Sequence, residues 1–89
     1  MTERTAVIAS RVGLHARPAS LFIEAVKRQP VKVTISKDGS TPMDASSILS
    51  IMSLGAANGD TITLAAEGDG ADAALTELAA LLETDLDAD

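Results

Sequence analysis

Apolar and polar residues follow one another along the chain with two different periods, which together predict four strands and three helices. A period of two predicts a strand, and it is clearest over 31–37, where Val31, Val33 and Ile35 take one side. A period of three to four predicts a helix, as over 71–82, where alanines and leucines share one face. In chain order, we expect a strand over 2–9, a helix over 18–28, strands over 31–37 and 40–44, a short helix within 45–55, a strand over 61–66 and a helix over 71–82.

Proline and glycine mark where several of these elements begin and end. Pro18 suits the first turn of a helix, because its missing N–H would have no partner there. Pro30 stops that helix. Asp38-Gly39 predicts a hairpin turn, and Pro42 requires that the third strand lie at an edge of its sheet.

The order of elements, βαββαβα, predicts the fold class. Strands with one polar face indicate an antiparallel sheet that helices cover on one side only. We therefore expect an α+β open-faced sandwich, with a four-stranded antiparallel sheet and three helices on one face. The chain is predicted to form a single domain over 1–89, in which the acidic segment 83–89 is a frayed tail.

Composition excludes several classes of site. The chain has 89 residues, 46% of them apolar, so it is long enough for one modest core. It has no cysteine and one histidine, which excludes disulfides, thiol chemistry and cysteine or histidine metal clusters, and we expect no cofactor. The first residues lack the apolar segment of a signal peptide. The sequence also has no run of about 18 apolar residues that could form a membrane-spanning helix. We expect a soluble, cytoplasmic protein without membrane insertion.

Charge is distributed unevenly along the chain. All seven basic residues lie within 1–37 beside two carboxylates, and the eleven other carboxylates follow, so the two parts carry +5 and -11 and sum to the net charge of -6. A basic half can indicate nucleic-acid binding. The cations are scattered, however, and Phe22 is the only aromatic residue that could stack on a base. We therefore expect no nucleic-acid partner.

The segment "SRVGLHARPAS", 10–20, contains the only histidine of the chain, His15. Arg17 has an unfavourable charge for the first turn of a helix, where the dipole is positive. The arrangement is favourable if an anion binds there, and phosphate suits both a helix N-terminus and a guanidinium. The same dipole disfavours the cationic form of His15, so we predict a neutral, nucleophilic ring. The alternative is a solvent-exposed histidine without a role.

Two motifs resemble those of a known family. "GLHARPAS" is similar to the active-site signature of HPr, the histidine-containing phosphocarrier of the phosphoenolpyruvate-dependent sugar phosphotransferase system, and "SSILSIMSLGA" to its serine-site helix. The resemblance implies that Enzyme I phosphorylates His15 on Nδ1 and that IIA domains of sugar permeases accept the group. It also implies that Arg17 pairs with the phosphoryl group and that amides around Ala16 and Arg17 bind it.

The resemblance further implies a surface on which partner proteins dock, formed by Ser20, Ile48, Leu49 and Met52. From the residues alone, apolar side chains lie on nearly every side of the short helix, which is more apolar surface than one buried face requires. Each of these side chains could equally belong to the core, and Ile51 and Leu54 are the residues that we assign to it.

The chain departs from the family pattern near the histidine and near the serine site. Arg11 and Val12 stand where small polar residues are common, so a backbone carbonyl or water would have to orient His15. In some bacteria a kinase phosphorylates the family's regulatory serine, and a phosphorylase would remove the phosphate. This serine corresponds to Ser47, which would leave Ser46 as the helix-capping neighbour. A serine at a helix start is also favoured simply as a cap, and either serine could cap this helix.

We predict a monomeric phosphoryl carrier and not an enzyme, because the chain has one nucleophile and no second ionisable partner of the kind a turnover enzyme needs. It would act as a cosubstrate of phosphotransferase enzymes. Two alternatives remain from the residues: a regulatory relative within the phosphotransferase system, and a small-ligand-binding α+β module, since βαββαβ also describes ferredoxin-like domains.

Overall fold

A computed structural model of the chain describes residues 2–11, 13–14, 16–37 and 40–84. Its elements are β1 (Thr2–Val7), α1 (Ala16–Lys27), β2 (Val33–Lys37), β3 (Met43–Asp44), α2 (Ile48–Leu54), β4 (Thr61–Ala66) and α3 (Ala71–Leu82). The predicted order βαββαβα is confirmed. Across the described ranges, no helix is long and apolar enough to cross a membrane.

The four strands form one antiparallel sheet in the order β1-β4-β2-β3. β1 pairs with β4 along its whole length, and Ala6 lies opposite Ile62. β4 also pairs with β2, where Ile35 lies opposite Leu64. β3 lies at an edge of the sheet, as predicted, but Pro42 directly precedes this strand and is not part of it.

One face of the sheet is covered by the three helices, which gives the predicted open-faced sandwich. Alternate strand residues point to that face and are buried, including Ala6, Ile35 and Leu64. Phe22 of α1 and Leu78 of α3 meet them and are fully buried. The opposite face carries small polar side chains such as Thr63, because the period of two places every second residue there.

Several element boundaries differ from the predictions. β1 ends at Val7 and not at 9, because Ile8 leaves the sheet and pairs with 59–60: its N–H donates to the Asp60 carbonyl at 2.9 Å, and its carbonyl accepts from Gly59 at 2.8 Å. α1 begins at Ala16, two residues before Pro18, and ends at Lys27. β2 begins at Val33.

β3 keeps only two residues of the five predicted, where it pairs with Thr34 and Ile35. The Asp38-Gly39 turn that would precede it lies outside the described residues. At the other end of the chain, the predicted tail begins with two residues that contact α3: the N–H of Glu83 donates to the Ala79 carbonyl at 3.0 Å. Residues 85–89 lie outside the described part.

Candidate functional site

The first turn of α1 presents a cation at the helix end that carries the positive dipole. The helix has no acidic residue in this turn, and Arg17 is exposed. Among the described residues, no side chain pairs with its guanidinium. Pro18 is fully buried and so fixes the start of the helix against the core. This end of α1 therefore offers backbone N–H groups and an arginine to an anion.

His15 and Val12 lie outside the described residues, and the structure describes what precedes and follows them. Gly13 has φ 77°, and its N–H donates to the Ser10 carbonyl at 3.0 Å. Leu14 is buried, and its N–H donates to the Ala56 carbonyl at 2.8 Å. The backbone directly before His15 is thus bound to the backbone that follows α2.

Gly13 is required where the two backbones meet. A Cβ added there would lie 2.5 Å from the carbonyl oxygen of Ala56 and 2.9 Å from the Cα of Ala57. Side chains also rarely adopt this positive φ. The glycine of the predicted motif therefore allows the close approach of segment 55–60, and no larger residue fits.

Segment 55–60 makes side-chain contacts that the sequence did not predict. The Asn58 amide nitrogen donates to the carbonyls of Ala9 and Ser10 at 3.1 and 3.3 Å. Lys37 forms an ion pair with Asp60 at 2.9 Å and donates to the Gly55 carbonyl at 3.2 Å. In the sequence, Asn58-Gly59 indicated only a turn, and no local signal marks the Lys37–Asp60 pair.

The carboxylate of Asp60 is stabilised within this segment. It accepts the N–H of Ala57 at 2.8 Å, and this bond together with the nearby Lys37 ammonium lowers the pKa of Asp60 below its usual 3.8. Both interactions favour the ionised carboxylate. Lys37 and Asp60 therefore join the end of β2 to the segment that contacts the backbone before His15.

The apolar side chains of α2 fall into a buried group, which belongs to the core, and an exposed group, which does not. Ile51 and Leu54 are buried, as predicted. Leu49 is 77% exposed, and Ile48 and Met52 are 45% and 44% exposed. These three side chains form an exposed apolar surface, and α2 itself packs against α1. Ser20 of α1 is also exposed.

Ser47, and not its neighbour Ser46, is the N-cap of α2, so the assignment of the cap to Ser46 is wrong. The hydroxyl of Ser47 accepts the N–H of Ser50 at 3.4 Å. Ser46 instead donates both its hydroxyl and its N–H to one oxygen of Asp44, at 2.7 and 2.9 Å. These two bonds lower the pKa of the Asp44 carboxyl.

A family profile described as "PTS HPr component phosphorylation site" matches residues 2–84. The chain belongs to the HPr family. Its similarity to the phosphocarrier protein HPr of Streptomyces coelicolor is 44% identity over 87 residues, 98% of this chain and 94% of the relative. As a member of this family, it serves as a phosphocarrier of the phosphotransferase system and interacts with enzymes of that system. This favours the carrier over the small-ligand-binding module.

Solved HPr structures share the fold. The HPr of Thermoanaerobacter tengcongensis superposes with a TM-score of 0.90 at 37% identity, covering 100% of this chain and 99% of that one. Crh, the catabolite repression HPr of Bacillus subtilis, superposes with a TM-score of 0.71 at 36% identity, covering 93% and 94%. The Crh crystal structure is described as a swapped dimer.

Proposed function

We propose that this chain accepts a phosphoryl group from phosphorylated Enzyme I on Nδ1 of His15 and donates it to IIA domains of sugar permeases. The bond between phosphorus and Enzyme I breaks as the P–N bond forms, and the ring keeps its proton on Nε2. The observation that carries the proposal is the exposed Arg17 in a first helical turn that lacks any acidic residue. The dipole and the guanidinium both stabilise the phosphoryl oxygens there.

Incubation with Enzyme I and phosphoenolpyruvate tests this assignment. We expect one acid-labile phosphoryl group, which mass spectrometry locates on His15 and which is absent from His15→Ala. Ser47→Ala is the matched control and should label normally, because its hydroxyl caps α2 and is not the acceptor. Phosphate on another side chain, or none, would refute the assignment. Transfer from the labelled protein to isolated IIA domains then identifies the acceptors.

The exposed surface formed by Ile48, Leu49 and Met52, with Ser20 of α1, is the proposed docking site for both donor and acceptor proteins. Its support is exposure: three large apolar side chains face solvent on a helix that already has a buried face. Large apolar side chains left exposed together are typical of protein-binding surfaces. One surface that serves successive partners favours a monomer, which sedimentation would distinguish from the swapped dimer described for Crh.

Ser47 is the proposed site of regulatory phosphorylation by a serine kinase, with removal by a phosphorylase. A phosphate on this residue would lie at the start of α2, next to Ile48 and Leu49. The added charge would oppose the burial of these two side chains by a partner. Ser47→Asp should therefore weaken docking and leave the fold intact, because aspartate also caps helices well.

In this proposal the protein is a cosubstrate of the transferases, and it needs no cofactor of its own. A cytoplasmic location stays a prediction.

A further inference from the structure

Residues 8–11 and 13–14, the described part of the segment that leads to His15, are bound from across the fold by segment 55–60. The backbone contributes three bonds: Ile8 to Asp60, Gly59 to Ile8, and Leu14 to Ala56, at 2.8–2.9 Å. These bonds lie at the two ends of the leading segment. Between them, the N–H of Ala9 donates to the Leu82 carbonyl of α3 at 3.0 Å, and the chain turns before it reaches Gly13 and Leu14.

Asn58 contributes a side-chain contact at this turn. Its amide nitrogen lies between the carbonyls of Ala9 and Ser10, at 3.1 and 3.3 Å. The Ser10 carbonyl also accepts from Gly13, so the amide binds the same peptide group that positions Gly13. Among hydrogen bonds between described residues, this amide is the only donor to the Ala9 carbonyl.

The chain has only one other side-chain amide, that of Gln29. Gln29 also bonds a backbone carbonyl, that of Ala25 at 3.1 Å, and it contacts Glu77 at 2.7 Å. It lies beyond the C-terminal end of α1, whereas His15 precedes the N-terminal end. Gln29 therefore provides a matched control of the same chemistry at the opposite end of the helix.

From these contacts we propose that Asn58 is a positioning residue for phosphoryl transfer. Its amide sets the path of residues 9–10 and thereby the placement of the acceptor ring relative to the first turn of α1. The inference rests on the proposed function of His15 as the acceptor. Transfer depends on the alignment of the attacking nitrogen with phosphorus, so a small displacement slows the reaction without weakening the binding of Enzyme I.

The test is steady-state phosphorylation by Enzyme I and phosphoenolpyruvate, with this protein as the varied substrate. We compare Asn58→Ala, the isosteric Asn58→Asp, which has no N–H to donate, and Asn58→Gln, which keeps the amide. The first two should lower kcat about fivefold or more, with KM within about twofold of the unsubstituted protein. Asn58→Gln should recover part of the rate, and Gln29→Ala should change neither constant.

Amide hydrogen exchange provides a readout besides activity. In Asn58→Ala, the amides of Gly13 and Leu14 should exchange faster, while amides within β4 keep their protection. NMR signals of the His15 ring should shift in the same variant. None of these changes should appear in Gln29→Ala.

The outcomes separate this inference from the function on which it rests. If the unsubstituted protein is not phosphorylated on His15, the proposed function fails. If it is phosphorylated, but Asn58→Ala keeps its kcat and the exchange rates of Gly13 and Leu14, Asn58 has no positioning role. A raised KM with unchanged kcat would also overturn the inference, since Asn58 would then contact Enzyme I directly. A lower melting temperature alone would assign Asn58 to the stability of the fold.

Discussion

The charge of Arg17 should reduce the stability of the protein while it supports transfer, so reversing that charge should change the two properties in opposite directions. Arg17 is exposed in the first turn of a 12-residue helix with no acidic residue in that turn. A charge near a helix end contributes about 0.3–1 kcal/mol, so exchanging an unfavourable cation for a favourable anion gains about 1 kcal/mol at an exposed position. For a domain of this size, the melting temperature of Arg17→Glu should rise by about 4–8 °C in low salt.

Phosphoryl transfer should fall severely in the same variant. Hydrogen bonds to charged groups contribute about 1.5–3 kcal/mol each, so losing two of them to the phosphoryl group slows transfer by at least about 100-fold. Thermal unfolding followed by circular dichroism, and quenched transfer from Enzyme I, measure the two effects. Arg17→Gln should show about half of the gain in stability.

Lys27 offers a matched control for the stability effect, because it is the basic residue in the last turn of the same helix. Lys27→Glu places an anion at the negative end of the dipole and should lower the melting temperature by a similar amount. Our reasoning about the charge at this helix end would be refuted if Arg17→Glu were less stable than the unsubstituted protein, or if it transferred phosphate at an unchanged rate.

Three further predictions concern docking, packing and pH. Leu49→Asp should raise KM for Enzyme I about tenfold or more without loss of stability, because the Leu49 side chain is 77% exposed until a partner buries it. By contrast, the Ile51 side chain is fully buried, so Ile51→Ala should lower the free energy of unfolding, measured with denaturant, by about 2–5 kcal/mol. Gly13→Ala should destabilise the protein by about 2 kcal/mol or more in the same assay, because its Cβ would lie 2.5 Å from a carbonyl oxygen and φ is positive; unchanged stability would contradict this packing. Folding lowers the pKa of both Asp44 and Asp60 below 3.8, so the folded state binds fewer protons than the unfolded state. The free energy of unfolding should therefore keep this contribution above about pH 3.8 and lose it as the pH falls through the pKa values of the folded state. Measured against pH, the loss should be smaller in Asp60→Asn.

Much of the fold follows from local patterns. The bounds of β4 and α3 match the predictions, because long periodic runs define both elements and glycines precede α3. β1 and β3 are shorter than predicted, because a strand extends only where a neighbour pairs with it, and that depends on contacts between distant residues.

The exposed surface of α2 could be predicted only in part from the sequence. Its apolar side chains were evident, and the assignment of Ile51 and Leu54 to the core is confirmed. The spacing of apolar residues alone left the roles of Ile48, Leu49 and Met52 open, because a helix of 7 residues is too short for this spacing to define its buried face. The packing of α2 against α1 decided which side chains remain exposed.

The sequence by itself determined the chemistry offered to a partner: one imidazole, an arginine two residues later, and a proline in the first turn of the helix. These three residues lie within four consecutive positions of the chain, so no contact between distant residues is needed to bring them together. Only the tertiary structure brought Asn58 to the carbonyls of Ala9 and Ser10, 48–49 residues earlier in the chain. A hydrogen bond across that separation depends on the pairing of β1 with β4, and no local pattern of residues encodes it.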